Sequence, residues 1–146
     1  YYDDITINNS NTSSGSAGGA GISLVSGNDS WGGLIFSDSD MHGRGYLKYD
    51  HGDDELVFGT ASNNRLFITS SGHVIPGVNN TQDLGSTAKG WRNIYTNDLN
   101  LSNMNGEKND IDGTQGSWTI QEGKDNLYII NRLNGKKFKI KMEEIS

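Results

Sequence analysis

Short runs of β-forming residues, separated by turn signals, limit the folds open to this chain more than any other feature. From residue 22 onward the runs recur at roughly the 8–12-residue spacing that is typical of all-β proteins. The turn segments between them are GND, HGDD, SNN and SSG. The runs occupy residues 22–26, 34–37, 45–50, 55–59, 65–69 and 73–75. The sequence therefore predicts an all-β fold of short strands.

Apolar residues alternate within these runs and fall on both faces. Leu66 and Ile68 share one face with Phe67 on the other, and Leu56 and Phe58 oppose Val57 in the same way. Strands that are apolar on both faces are usually covered on both sides. We therefore expect a covering surface that one short chain does not supply by itself.

The composition supports this expectation. Hydrophobic residues make up 32% of the 146 residues, with Gly 20 and Pro 1, and Leu, Ile, Val and Phe together account for about a fifth, near the ~20% level at which chains tend towards disorder. Such a chain is either partly disordered or gains burial by associating with copies of itself. The regular alternation favours association with copies of the same chain.

Charge and residue usage exclude several functions. The net charge of −6 disfavours binding to a phosphate backbone, so no nucleic acid partner is predicted. No apolar run approaches the ~20 residues of a membrane helix, so no membrane insertion is predicted. The lack of Cys excludes disulfides and thiolate metal sites. Because the chain begins at Tyr1, we expect a segment of a longer protein.

The C-terminal segment carries a hairpin signal. Asn134-Gly135 lies between two alternating runs, and a type I′ turn needs positive φ at both of its central residues. With these two residues in the turn, Leu133 pairs with Lys136 and Ile129 with Ile140. Trp118 and Ile120 are predicted to add a preceding strand. The predicted buried face carries Leu127, Ile129, Asn131, Phe138, Ile140 and Met142, and the predicted wet face carries Tyr128, Ile130, Arg132, Lys137, Lys139 and Lys141.

Two motifs lie in the centre of the chain. The first is a short turn, a spacer, and then a Trp-x-x-Ile-Tyr-Thr sequence; its residues are Asp83, Leu84, Gly85, Ser86, Trp91, Ile94, Tyr95 and Thr96. The second comprises a strand ending in Tyr49-Asp50-His51, a Leu-x-Phe strand, and an Arg-Leu-x-Ile strand before a Ser-Gly turn. In this order and spacing the motifs cover about half of the chain and resemble the C-terminal regions of bacteriophage tail fibres and tailspikes.

The resemblance implies a virion structural protein of the phage tail, extracellular after release, that mediates host attachment. Its fold would be an elongated, intertwined homotrimeric β fibre module with a C-terminal β-hairpin or meander. Its partners would be a host cell-surface glycan or protein receptor and other phage tail proteins. In many fibres the Trp-x-x-Ile-Tyr-Thr segment precedes a self-cleaving intramolecular chaperone domain. This chain continues into the hairpin instead, so we expect that segment without the chaperone.

Four regions are predicted along the chain. Residues 1–21 form a low-complexity lead-in that is either a flexible linker or an extended segment wound around partner chains. Residues 22–85 form a β-repeat region and residues 105–146 a β-meander. Between them, residues 86–104 form a junction that begins with one helical turn, capped by Ser86 and ended by Gly90. Trp91 is predicted to pack at this junction.

Three aromatic residues are candidates for contact with a glycan or receptor: Trp31, Tyr46 and Tyr49. Trp31 stands out because it lies in a Gly-rich turn. Trp91 and Trp118 are better explained as packing residues. Binding rather than turnover is therefore the predicted activity.

No catalytic residue is predicted. The chain has no Gly-x-Ser-x-Gly nucleophile motif. A carboxylate pair of the glycosidase type is not ruled out by one sequence, so a polysaccharide-degrading tailspike domain stays open as an alternative. A purely structural fibre-joining or baseplate component is the other. Acidic turns on a solvated surface explain the carboxylates better than an active site does.

No metal or cofactor is predicted. The segment 109–113 echoes part of an EF-hand loop, but Lys108 and Thr119 would occupy positions where Asp and Glu are required. A looser oxygen-ligand site there is less favoured than a solvated turn. His42, His51 and His73 are too dispersed for a metal pair, although one axial His in a trimer would be presented three times.

Overall fold

The computed structural model describes residues 21–145, so the predicted lead-in lies outside the described residues except for Gly21. The all-β prediction is confirmed: the described residues form nine strands in two antiparallel sheets and no helix. No membrane-spanning helix is therefore present in that range. The chain divides into two compact units between Gly77 and Val78.

The first unit is a five-stranded antiparallel meander with strand order β1-β2-β3-β4-β5. Four of the predicted runs, at 45–50, 55–59, 65–69 and 73–75, are confirmed as strands to within two residues at either end. The strands are β1 (Trp31–Phe36), β2 (Gly45–Asp50), β3 (Glu55–Thr60), β4 (Asn63–Ile68) and β5 (Val74–Pro76).

The N-terminal end of this sheet differs from the prediction. Residues 22–26 are not a strand, because their backbone is not paired with any strand of the described chain. β1 begins at Trp31, three residues before the predicted run, since Gly32 and Gly33 continue the pairing with Tyr49 and Lys48. Two adjacent Gly residues favour a turn in a sequence reading, but cross-strand pairing overrides that local preference.

The predicted alternation in this unit is confirmed by the strand register. Leu56 pairs with Ile68 and Phe58 with Leu66, while Val57 pairs with Phe67 on the opposite face. Directly paired residues lie on the same face of a sheet, which defines an apolar face of sheet 1. That face carries Leu34, Leu47, Tyr49, Leu56, Phe58, Leu66, Ile68 and Val74.

The second unit contains a four-stranded antiparallel meander with strand order β6-β7-β8-β9. β6 was not predicted, although Leu99 and Leu101 alternate within it. The predicted strand around Trp118 and Ile120 is confirmed as β7. The strands are β6 (Asp98–Ser102), β7 (Ser117–Glu122), β8 (Leu127–Asn131) and β9 (Lys137–Lys139).

The C-terminal hairpin forms with a different turn from the one predicted. Ile129 pairs with Phe138 rather than Ile140, and the loop comprises residues 132–135. Gly135 has φ 73°, whereas Asn134 is not in the positive-φ region, so the type I′ prediction is wrong. The Asn131 side chain stabilises the longer loop, because its Oδ1 accepts hydrogen bonds from the backbone N–H groups of Leu133 and Asn134 at 2.9 and 3.2 Å.

The register shift leaves every side chain on its predicted face, because it amounts to two residues and side chains alternate with a period of two. The predicted burial is matched only in part by the single chain. On the predicted buried face Ile129, Asn131 and Ile140 are half-buried while Phe138 is 48% exposed, and on the predicted wet face every residue is exposed except Ile130, which is 9% exposed. The predicted buried side is defined here as the apolar face of sheet 2, and it carries Leu99, Leu101, Trp118, Ile120, Leu127, Ile129, Phe138 and Ile140.

A polar network covers the centre of the opposite side. Thr119, which is 0% exposed, pairs with Ile130. The Thr119 hydroxyl donates to Asn100 Oδ1 at 2.6 Å and accepts from Arg132 Nε at 2.8 Å. This face therefore buries a hydroxyl whose hydrogen bonds are satisfied, next to the aliphatic side chain of Ile130.

Replacing Gly135 by Ala is expected to lower the free energy of unfolding by about 1–2 kcal/mol, the usual cost of a non-Gly residue in the left-handed region. Gly90→Ala is the matched control, since Gly90 has open space around it and no positive φ. Chemical denaturation of both variants measures the effect. Equal stabilities would show that the loop does not hold the observed geometry.

The junction between the two sheets is irregular. The predicted helical turn is wrong: Ser86 and Lys89 form a two-residue β-turn instead, with paired backbone hydrogen bonds of 2.9 and 3.2 Å. The Ser86 hydroxyl accepts from the Lys89 N–H at 3.1 Å, as a helix cap would. A single cap does not outweigh the cost of nucleating a helix only four residues long.

Candidate ligand-binding face

The strand register brings Trp31, Lys48 and Tyr46 together on one side of sheet 1. Trp31 pairs with Asp50, and Tyr46 pairs with Ile35. Lys48 and Tyr46 are two residues apart on β2, so their side chains point to the same side. We call this side, opposite the apolar face of sheet 1, the aromatic face.

Gly33 creates the space that this arrangement needs. It pairs with Lys48, and because it has no side chain, the Lys48 stem fits between Trp31 and Ile35. The result is a shallow depression of about 210 Å³. It is lined by Trp31, Ile35, His42, Gly43, Tyr46 and Lys48.

The Lys48 ammonium lies between two aromatic rings. Its Nζ is 5.8 Å from the Trp31 ring centroid and 5.5 Å from that of Tyr46, within the ~6 Å range of cation–π attraction. Within residues 21–145 the ion pair joins Arg44 and Asp38, and no carboxylate pairs with Lys48. Within the described part of the chain, the ammonium is therefore held near the rings without a carboxylate partner.

Tyr46 is held in place from two directions. Its hydroxyl donates to Asn64 Oδ1 at 2.7 Å. Its ring lies directly over Gly59, where any Cβ atom would overlap the ring carbons. Tyr46 is thus a fixed wall of the depression, whereas Trp31, on the edge strand, is 49% exposed.

The loop between β1 and β2 forms the rim next to His42. Asp38 organises it: its Oδ1 accepts from the N–H groups of Met41 at 2.8 Å and Asp40 at 3.0 Å, and its Oδ2 accepts from Arg44 Nε at 2.9 Å. The Met41 hydrogen bond, followed by those from Asp40 and Arg44, holds the pKa of Asp38 below its usual value. This loop is therefore ordered by its own hydrogen bonds.

Tyr49, the third predicted contact residue, lies on the other side of the sheet. It packs edge-on against His51, with ring centroids 5.1 Å apart, and its hydroxyl donates to Asp54. Desolvation, and then the Asp54 carboxylate, raise the pKa of Tyr49. The structure brings Trp31 and Tyr46 together but does not add Tyr49 to them.

Lys48 was missed as a candidate because a lone Lys in a strand is ordinarily a solvent-facing residue. The alternation of β2 held the signal that could have found it. Tyr46 and Lys48 are two positions apart in the strand, so their side chains share a face, while Leu47 and Tyr49 occupy the other face. Which β1 residue lies beside them depends on the strand register, which was not predicted from the sequence.

The motif residues of the junction are exposed, and their surfaces have no covering group within the described chain. All of residues 83–97 are exposed, and Tyr95 is 91% exposed. Gly85 has φ 96° and lies beside the Trp91 ring, which is the nearest side chain to it. The predicted packing of Trp91 at the junction is wrong for the single chain, where Trp91 lies mostly in solvent.

The candidate metal sites do not form within the described residues of the single chain, and a site made by one His from each of three copies stays a prediction. Among residues 21–145 no group of three His, Asp or Glu side chains is positioned to hold a metal ion. In the segment 109–113, Asp112 Oδ1 accepts from the Thr114 hydroxyl at 2.7 Å and from Asn109 Nδ2 at 2.6 Å. These bonds, the Thr114 hydroxyl first, lower the pKa of Asp112. The carboxylate closes a turn.

Comparison with known proteins adds no relative. No protein-family model, curated protein or solved structure matches the chain. The observations that bear on function are therefore the motifs and the two faces of sheet 1.

Proposed function

We propose that this chain is a virion structural protein, a segment of a phage tail fibre or tailspike that attaches the particle to the host cell surface through a trimeric β module. The motif resemblance supports the type of protein. The uncovered apolar faces support the oligomer, and the aromatic face supports attachment. Each of these observations bears on a different part of the proposal.

The observation that carries the proposal is the shortage of internal burial. Within residues 21–145 the buried apolar side chains are Val57, at 2% exposed, and Ile130. Each sheet has an apolar face that the described residues leave partly open. Full burial of one large apolar side chain contributes about 1.5–3 kcal/mol, so covering these faces with two further copies would supply the missing stabilisation.

A closed trimer would also protect the sheet edges. Both sheets end in edge strands, β1 and β5 in the first and β6 and β9 in the second. Unpaired edges invite pairing with other chains, and intertwined copies remove that hazard. Three copies would in addition present the aromatic face three times, so that weak contacts combine into avid attachment.

Light scattering of the chain in solution is expected to give about three times the 15.9 kDa mass of one copy. Replacing Leu99 by Glu places a charge on the apolar face of sheet 2, and we expect it to dissociate the trimer because burying an unpaired charge is costly. Ile111→Glu is the matched control, since Ile111 is 95% exposed in the loop between β6 and β7 and is not a residue of that face.

Two results would contradict the oligomer. One is a monomer that unfolds cooperatively and resists hydrogen exchange throughout sheet 2. The other is a trimer that Leu99→Glu and Ile111→Glu leave equally intact, which would place the contact elsewhere on the chain.

A further inference from the structure

We infer that the aromatic face binds an acidic saccharide, with the sugar ring on Trp31 and its carboxylate at Lys48 Nζ. The inference rests on the proposed function, since it names the class of host receptor that the attachment module would take. It goes beyond that function by assigning the ligand chemistry and the residue that selects it.

The first argument is the state of the Lys48 ammonium. It is held within 5.8 Å of the Trp31 centroid and 5.5 Å of the Tyr46 centroid, and no carboxylate of the described chain pairs with it. Aromatic rings attract a cation through their negative faces but carry no net charge. Lys48 is half-buried, so a carboxylate that reached it would form a charge-assisted hydrogen bond in a partly desolvated place.

The second argument is the neighbouring ring. A pyranose sugar has a face of C–H groups that is apolar, and a uronic acid adds a carboxylate at the edge of the same ring. The Lys48 ammonium lies over the Trp31 ring, and Trp31 is 49% exposed. A sugar that packs against the exposed part of this indole would therefore bring an edge carboxylate within reach of Lys48.

The third argument concerns size. The depression holds about 210 Å³, below the ~300–1,000 Å³ of pockets for drug-sized ligands. It suits one sugar residue at a time, as in a polymer that lies across the surface. Each site would then bind weakly, and repetition on the particle would provide the strength.

Nearby acidic groups make the recognition local. Asp50 lies on the same face as Lys48, paired with Trp31 and Glu55, and its Oδ1 accepts the Gly52 N–H at 3.1 Å. The chain also carries a net charge of −6. The net negative charge therefore repels a polyanion at long range. At ordinary ionic strength salt screens charges that are more than about 8–10 Å apart, so binding depends on the close contact with Lys48.

The test compares oligogalacturonate with its fully methyl-esterified form, which has the same ring but no charge, by calorimetry or NMR titration. We expect the wild-type chain to bind the acid roughly tenfold more tightly than the ester, the size of one charged contact. Lys48→Met, which keeps the aliphatic stem, should abolish the difference. Lys48→Arg should retain it, and Trp31→Ala should weaken both ligands.

Asp50→Asn is a variant that is expected to strengthen binding of the acid instead of weakening it. Asn keeps the oxygen that accepts the Gly52 N–H but removes a charge beside Lys48, so the acid should bind a few-fold more tightly at low salt and the ester should be unaffected. A lack of salt dependence would contradict the assigned contact.

Three outcomes overturn the inference: no binding of the acid at millimolar concentration, equal binding of acid and ester, or a preference that survives in Lys48→Met. The proposed function is judged separately, by oligomeric mass and by adsorption of the labelled chain to a panel of bacterial cells. Adsorption that is lost in Trp31→Ala but unchanged in Lys48→Met would keep the attachment role and reject the acidic ligand.

Discussion

Replacing Gly33 by Ala is expected to detach β1 from sheet 1 and lower the free energy of unfolding by about 3 kcal/mol, the upper part of the range for groups forced into filled space. A Cβ atom on Gly33 would lie 2.5 Å from the Leu47 carbonyl oxygen and 2.7 Å from Lys48 Cα. Both are backbone atoms of the paired strand, so no side-chain rotation relieves the overlap. The strands must separate.

Gly45→Ala is the matched control for this prediction. Gly45 is also a strand residue of sheet 1, but a Cβ atom there would meet its nearest neighbours at 3.6 Å, an ordinary contact. Ala is favoured over Gly within a strand by roughly 0.5–1 kcal/mol, so this variant should be as stable as the wild type or more so.

Denaturation at matched protein concentration, with hydrogen exchange of the β1 and β2 amides, measures the effect of Gly33→Ala. We expect protection to be lost across the β1–β2 ladder while sheet 2 is unaffected. If Gly33→Ala were as stable as Gly45→Ala, the close approach of β1 to β2 at this position would be wrong.

Replacing Thr119 by Val is expected to destabilise sheet 2 by about 3 kcal/mol, near the upper end for a lost buried hydroxyl with a charged partner. The methyl group fills the same volume, so packing changes little. The hydrogen bonds to Asn100 and Arg132 both disappear. Arg132 Nε loses the hydroxyl oxygen that accepts its hydrogen bond, at a position where Thr119 is fully buried.

A double-mutant cycle with Arg132→Met separates the network from the packing. If the charged partner accounts for most of the loss, Thr119→Val should cost much less in the Arg132→Met background. Thr96→Val is the control, since Thr96 is exposed and its hydroxyl bonds the Asp98 carbonyl oxygen within one turn of chain. Additive effects would mean that Thr119 and Arg132 do not act together.

Local patterns predicted most of the strands because alternation and turn residues act within a few positions. The runs around Tyr46, Val57 and Phe67 become strands with the predicted faces. Failures occurred where a distant partner decides the outcome. Residues 22–26 have strand-forming side chains but no paired strand within the described chain, and Gly32 and Gly33 are of a residue type that favours turns but lie in β1.

The C-terminal hairpin also has features that the local sequence predicts and features that a residue outside the turn decides. Asn134-Gly135 identified the position of the turn, and the period of two fixed which side chains share a face. The turn type depended on Asn131, whose side-chain oxygen bonds two backbone N–H groups inside a four-residue loop. Several turn types were compatible with the same dipeptide, and a hydrogen bond from outside the dipeptide selected among them.

The sequence predicted only part of the candidate site. Trp31 and Tyr46 were identified by residue type, but Tyr49 was grouped with them and Lys48 was not. Aromatic character says what a side chain can do and nothing about which side of a sheet it occupies. Alternation within β2 separates Tyr49 from Tyr46 and Lys48, and the pairing of Gly33 with Lys48, across the loop of residues 37–44, places Trp31 beside the latter two.

Residue types and their near neighbours were enough to predict an all-β chain, the positions of most strands, and a shortage of apolar residues for an ordinary core. The folded structure was needed to show which faces the described residues leave open, that Thr119 rather than an aliphatic residue is the most buried side chain of sheet 2, and that the Lys48 ammonium lies near the rings of Trp31 and Tyr46 with no carboxylate partner among residues 21–145. These properties depend on strand register, which places residues distant in the chain within a few ångströms of each other.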